Sequence, residues 1–168
     1  MQDTPSYHPR RLTKEMPAGE QLDLLRSQWV LTVAMCRGDE PYLVTMDYLF
    51  VEAEKCFYVH CANEGRKLEF LSANPRIWGQ IVEDRGYIPG VCSHAYRCVM
   101  FQGRVERITD AGDKRRVLDL MIDRCEPEPE LLKQKMLKNK ALGGVTVLRL
   151  RIEAMSGKQS PSPAKAQE

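Results

Sequence analysis

Tyr42-Leu43-Val44-Thr45-Met46-Asp47-Tyr48-Leu49-Phe50-Val51 is followed, across Glu52-Ala53-Glu54-Lys55, by Cys56-Phe57-Tyr58-Val59-His60-Cys61. In the first run every even position, Tyr42, Val44, Met46, Tyr48 and Phe50, is apolar or aromatic, and Thr45 and Asp47 stand in the middle of the odd face. A period of two belongs to a strand with one face in a core. The even face is therefore core and the odd face carries a polar notch. In the second run Phe57 and Val59 point one way, and Tyr58 and His60 the other. His60 lies on the less apolar side, and it lies beside the notch if the hairpin register brings the two together. The short link makes the two runs antiparallel.

Working outward, residues 29–36 read as a strand that enters residues 42–51 through the turn Arg37-Gly38-Asp39-Glu40, whose glycine is free to take positive φ. Residues 77–83, 97–108 and 145–155 complete six strands. Residues 18–27 form a short amphipathic helix on Leu22, Leu24 and Leu25, and residues 65–73 another, with Leu68 and Leu71 inward, stopped by Asn74-Pro75. Thr109-Asp110 caps a third, in which Val117, Leu118, Met121, Ile122 and Cys125 recur at helical spacing. Pro127 and Pro129 open a lysine-rich fourth, to about residue 140, and Lys133, Lys135, Lys138 and Lys140 read as its solvated face. Residues 84–95, with Gly86, Pro89 and Gly90, read as a binding loop. Hairpins dominate, so the expected fold is mainly β (α+β): six antiparallel strands in a small closed barrel with peripheral helices. Residues 1–16 are an N-terminal arm, 17–155 the barrel domain and 156–168 a disordered tail.

The 168 residues suffice for one domain, and 43% hydrophobic content is globular. A net charge of +2 argues against a nucleic-acid binder. No apolar run approaches the roughly 20 residues that cross a bilayer, and residues 1–11 lack the apolar stretch of a signal peptide. The expected setting is the cytoplasm, with no membrane partner. Six cysteines form no C-x-x-C. Cys56 and Cys61 fall on opposite strand faces, and Cys92, His94 and Cys98 match no zinc spacing, so no metal is expected.

After Cys61 the chain continues Ala62-Asn63-Glu64-Gly65-Arg66-Lys67. A strand ends beside a histidine, turns at a glycine and enters a helix with two adjacent cations. Helix-start N–H groups and two positive side chains make an anion site. The plainer reading is a solvated helix start with surface cations. His60 is likewise open between a structural imidazole at a strand end and a group beside a ligand. Thr45 is open between a cofactor donor and a β-branched strand residue, and Trp29 and Trp78 between core and dimer interface. Arg149 and Arg151 read as a solvated strand edge.

The order of Glu40-Pro41-Tyr42-Leu43-Val44, Phe57-Tyr58-Val59-His60, Gly65-Arg66-Lys67 with Asn74-Pro75, Tyr96-Arg97-Cys98-Val99, Gln102-Gly103-Arg104-Val105 and Leu148-Arg149-Leu150 through Gly157-Lys158 resembles the pyridoxamine 5′-phosphate oxidase-like flavoproteins, and within them the nitroimidazole-resistance branch. The likeness runs from about Arg11 to Lys158. It implies that the barrel is a six-stranded antiparallel split β-barrel, with FMN, or FAD or haem as alternatives, in a groove shared by a homodimer. It implies that Gly65, Arg66 and Lys67 hold the phosphate, that the strand around Val44, Thr45 and Met46 lies along the ring, and that His60 stands near the ligand as the catalytic group; Asp47, next on that strand, either sits nearer the ring than the phosphate or marks a site that prefers a different ligand. Tyr96 and Arg97 would come from the other protomer. Three positions depart from the family pattern, which commonly has proline at Thr45, serine or asparagine at Asp47, and often serine at Cys98. The implied activity is flavin-dependent reduction of a small substrate such as a nitroaromatic. No G-x-G-x-x-G is present, so NAD(P)H would be a transient donor. A haem-binding or haem-degrading protein and a non-catalytic flavin-binding module are the rival classes.

Overall fold

The computed structural model describes residues 15–90 and 92–160. Helix α1 (Ala18–Ser27) leads into β1 (Val30–Arg37) and β2 (Glu40–Asp47). Strand β3 (Leu49–Val51), a 3-10 turn at Glu52–Glu54 and β4 (Cys56–Ala62) follow, then α2 (Arg66–Ala73). The long hairpin β5 (Arg76–Ile88) and β6 (Ser93–Ile108) precedes α3 (Ala111–Cys125), α4 (Pro129–Met136), α5 (Asn139–Gly143) and the last strand β7 (Val145–Gln159). The sheet order is β2-β1-β5-β6-β7-β4-β3, and every described pairing is antiparallel. This is the expected split-barrel class.

Seven strands stand where six were expected, because residues 42–51 are not one strand. Through Asp47 the chain pairs with β1, in the register Val30↔Asp47 to Arg37↔Glu40. From Leu49 it pairs with β4, Leu49↔Tyr58 to Val51↔Cys56. Tyr48 is the point of exchange. Its N–H donates to Trp29 O at 3.2 Å and its buried hydroxyl to Leu25 O at 2.7 Å. The two ends of the sheet are thus one continuous run of chain, which closes the barrel. The even-face pattern runs through Tyr48 unbroken, since those side chains face the core on both sides of the exchange.

Four rings centre that core. Phe57 lies 4.7 Å from Phe101 and 5.3 Å from each of Tyr48 and Phe50. Leu31, Val33, Val59, Ile81 and Val99 pack around them, with Leu24 and Leu25 of α1. Burying such rings supplies much of the apolar driving force. Close approach has a sequence requirement: at the β6–β7 bulge a Cβ on Gly103 would fall 1.9 Å from Arg151 O. Trp29 and Trp78 are not core, being 54% and 43% exposed.

Further differences concern boundaries. The expected loop 84–95 is largely strand: pairing shifts between Asp84 and Tyr87, then resumes as Tyr87↔His94 and Ile88↔Ser93. Gly86, at φ 91°, serves that bulge, so residues 84–88 and 93–96 are ladder and not loop. The lysine-rich fourth helix is two, α4 and α5. Lys133 is not solvated; it bridges Asp119 (3.1 Å) and Asp123 (2.6 Å) of α3. The cap of α3 is as expected, Asp110 accepting from Asp113 N at 2.8 Å. Strand β7 runs four residues past the expected domain end at Met155, pairing Met100↔Ser156 to Arg97↔Gln159. The remaining tail 161–168 and arm residues 1–14 lie outside the described residues. Met16, at the arm's end, is buried in the core. No described helix is long and apolar enough to cross a membrane.

Candidate functional site

The partner exchange at Tyr48 makes a cleft. Continuing the register Leu49↔Tyr58 by two residues would set Asp47 opposite His60. Asp47 has instead gone with β2 to β1, opposite Val30. Between the diverging strands lies a cleft of about 240 Å³, lined by Val30, Thr45, Met46, Asp47, His60 and Lys67. The polar notch and the histidine of the sequence reading are thus walls of one site. Met46 belongs to the core, while Thr45 is exposed, its hydroxyl 3.1 Å from that of Thr32.

The His60 side chain is exposed and has no hydrogen bond among the described residues. Lys67 is half-buried and makes no ion pair among them. It sits in the first turn of α2, whose leading N–H groups have no carbonyl within the helix. Gly65 precedes them at φ 133°, a conformation that L side chains rarely adopt, and the space where a Cβ would stand is open. An anion at Lys67 would meet a full charge and the positive end of the helix. Beside it, Cys61 is half-buried; burial pushes its thiol up, while Lys67 and Arg107 pull it the other way.

The other expected site residues lie elsewhere. Arg66 does not line the cleft: its Nη2 is 2.5 Å from Glu40 Oε1, and its guanidinium stands 5.1 Å from the Tyr42 ring. Successive helix positions diverge by about 100°, so adjacent cations need not face one anion. Val44 packs against the core. Arg97 is engaged by Glu83, through Nε at 2.6 Å and Nη2 at 3.0 Å, and Lys158 lies over the Tyr96 ring. Neither Tyr96 nor Arg97 lines the same chain's cleft. His94 is held by Asp84 at 2.7 Å. No three of His, Cys, Asp and Glu come together as metal ligands among the described residues.

Two features escaped the sequence. Val30 was legible in principle, because a two-residue turn joining Arg37 to Glu40 fixes Val30 opposite Asp47. A second cleft of about 250 Å³, which shares Asp47 with the first, is lined by Trp29, Tyr48, Met121, Arg124 and Cys125. Arg124 stacks on Trp29 and Tyr48 and donates to Gln28 O and Arg26 O. Only packing of α3 brings it there, and no local pattern announces that.

Two residues before His60, and on the same face of β4, the environment reverses. Tyr58 is buried beneath Val117 and Met121 of α3. Its hydroxyl makes a short hydrogen bond with Glu54 and accepts from Arg149 Nε at 2.9 Å and Arg116 Nη2 at 3.4 Å. The Tyr58 bond holds the Glu54 carboxyl below its usual range, and burial, then Glu54, pushes the phenol up. Arg149 is therefore no solvated edge; Arg151 is exposed and pairs with Glu106 at 2.8 Å.

A barrel split at one residue, with a cationic helix start in the split, defines a class. Residues 17–159 match the model of the pyridoxamine 5′-phosphate oxidase family, and the chain belongs to that family. No curated protein sequence is similar enough to count as a match. Among solved structures, a candidate 5-nitroimidazole antibiotic resistance protein from Bacteroides thetaiotaomicron superposes with a TM-score of 0.73 at 22% identity, covering 86% of each chain. An FAD-binding protein from Mesorhizobium loti gives 0.63 at 24%, over 88% of this chain and 98% of that one. An FAD- and haem-binding protein from Mycobacterium smegmatis gives 0.71 at 22%, over 92% and 80%. At such identities the likeness is one of fold.

Proposed function

We propose that this chain is a flavin-dependent oxidoreductase that binds FMN in the Tyr48 cleft and reduces small oxidised aromatics, nitro compounds foremost. One observation carries the reading: a half-buried cation at a helix start and an unpartnered imidazole share a cleft whose other wall is strand. The donor set fits a phosphate at Lys67 and a ring along Thr45, Met46 and Asp47. A flavin supplies hydride and electron transfer when bound. The chain's own work is simpler. Lys67 and the α2 N–H groups neutralise the phosphate. Asp47 belongs beside the ring, since a carboxylate against phosphate is repulsive. His60 gives a ring-nitrogen proton to the reduced substrate, and NAD(P)H visits as the electron donor in the cytoplasm.

Size supports a homodimer. Ligand sites commonly span about 300–1,000 Å³, and the cleft holds about 240 Å³ in one chain. Val30, which lines it, is 48% exposed, and Leu43 (64%), Trp78 (43%) and Val82 (45%) are exposed on neighbouring strands β2 and β5. A second copy laid on that face would bury them and complete the wall. Haem is the second reading, favoured by the unengaged His60 and by the name of the Mycobacterium smegmatis neighbour.

The absorbance spectrum of protein as purified, and after soaking with FMN, FAD and haemin, tests this. Flavin bands, followed by NAD(P)H-dependent bleaching and reoxidation by a nitroimidazole, are expected. A Soret band alone selects the haem reading, flavin that no nicotinamide reduces selects a binding module, and a colourless soaked protein ends the proposal.

A further inference from the structure

Glu40, the first residue of β2, is the cross-strand partner of Arg37 across the β1–β2 turn. Its Oε2 accepts from Arg37 Nη2 at 2.9 Å, and its Oε1 meets Arg66 Nη2 at 2.5 Å. Both guanidiniums lie against the Phe70 ring, Arg37 at 4.8 Å and Arg66 at 5.6 Å, and Arg66 also faces Tyr42. One carboxylate therefore holds two arginines on an aromatic platform at the Glu40 end of β2, while Lys67, the next residue after Arg66, lines the cleft. The hydrogen bonds of Arg37, then of Arg66, keep the Glu40 carboxyl below its usual range, so it is ionised at neutral pH.

We propose that Glu40 is a built-in competitor for the cofactor phosphate: it holds Arg66 away from the cleft, and so sets flavin affinity below what the Arg66–Lys67 pair could reach. The inference rests on the flavin reading above. Arg66 is next to Lys67 in the first turn of α2, and its side chain is 59% exposed, so nothing packed encloses its tip. An exposed ion pair is weak and exchanges readily. Arg37 makes release easy, because it stays on Glu40 when Arg66 leaves and no carboxylate is stranded. Arg37 is itself 3.7 Å from Glu69, which offers it no tighter alternative. Glu40 thus acts through Arg66, as a positioning residue.

Fluorescence titration of FMN and of riboflavin, which lacks the phosphate, separates the possibilities. The proteins needed are the natural chain, Glu40→Gln, Arg66→Met and the double variant, each checked by thermal melt. Glu40→Gln is expected to tighten FMN about two- to fivefold, the scale of removing an exposed competing pair, and to leave riboflavin unchanged. In the Arg66→Met background the same change is expected to do nothing. Equal or weaker FMN binding by Glu40→Gln, in a chain that does bind FMN, overturns the competitor role and leaves the flavin site standing. Tightening that persists without Arg66 overturns it too. A chain that binds neither ligand overturns both.

Discussion

Tyr58 and His60 are two residues apart on one face of one strand, and their surroundings have opposite characters. Helix α3 covers Tyr58, and Glu54, Arg116 and Arg149 converge on its hydroxyl. His60 faces the cleft with no hydrogen-bond partner among the described residues. Polar chemistry is present at both places. At Tyr58 it is satisfied internally, which specifies how α3 and the 3-10 turn dock. At His60 and Lys67 the side chains line an open cleft and have no hydrogen-bond or ion-pair partner among the described residues. The contrast teaches that satisfaction, more than polarity or charge, separates a structural network from a site.

Three substitutions test that division. His60→Ala removes the proposed proton donor and should lower nitroaromatic turnover about a hundredfold. Its thermal unfolding should stay within about 0.5 kcal/mol of the natural chain, since no side-chain hydrogen bond is lost. A fall in stability of several times that would place His60 with Tyr58. Lys67→Ala should weaken FMN binding at least about tenfold, in line with roughly 1.5–3 kcal/mol for a charge-assisted contact. Unchanged affinity by titration would move the phosphate elsewhere. Tyr58→Phe should behave in reverse, losing about 1 kcal/mol of stability in urea unfolding and leaving FMN affinity untouched.

The Tyr58 effect also carries a pH signature. Glu54 has a lowered carboxyl pKa in the folded chain, chiefly from the Tyr58 bond. Stabilisation of that kind is complete above the ordinary carboxylate range and fades as pH falls through the lowered value. The stability gap between the natural chain and Tyr58→Phe should therefore be widest near neutrality and close in acid. A gap that widened in acid would show that the bond does not favour the ionised carboxylate.

Much of the molecule was legible because alternation and helical spacing are local. Phe57 and Val59 inward, Leu24 and Leu25 inward, and the Asp110 cap follow from residues a few positions apart. Misreadings arose where a distant partner decides. Tyr42 to Phe50 keeps one period while its hydrogen-bonding neighbour changes from β1 to β4, and period-two patterning is blind to which strand lies alongside. Gly86, Pro89 and Gly90 are turn residues, yet pairing resumes beyond a one-sided bulge, so composition suggested a loop where the backbone is bonded. Arg66 and Lys67 looked equivalent in sequence. Glu40, distant along the chain and adjacent in space, makes them different. Arg124 reached the second cleft only through the docking of α3.

The exchange at Tyr48 also bears on compliance. Strand β2 and strand β3 are held by different neighbours, and no described ladder spans the gap between β2 and β4 at Asp47 and His60. The wall of the barrel is least cross-linked where the two strands part, directly above its most closely packed aromatic centre.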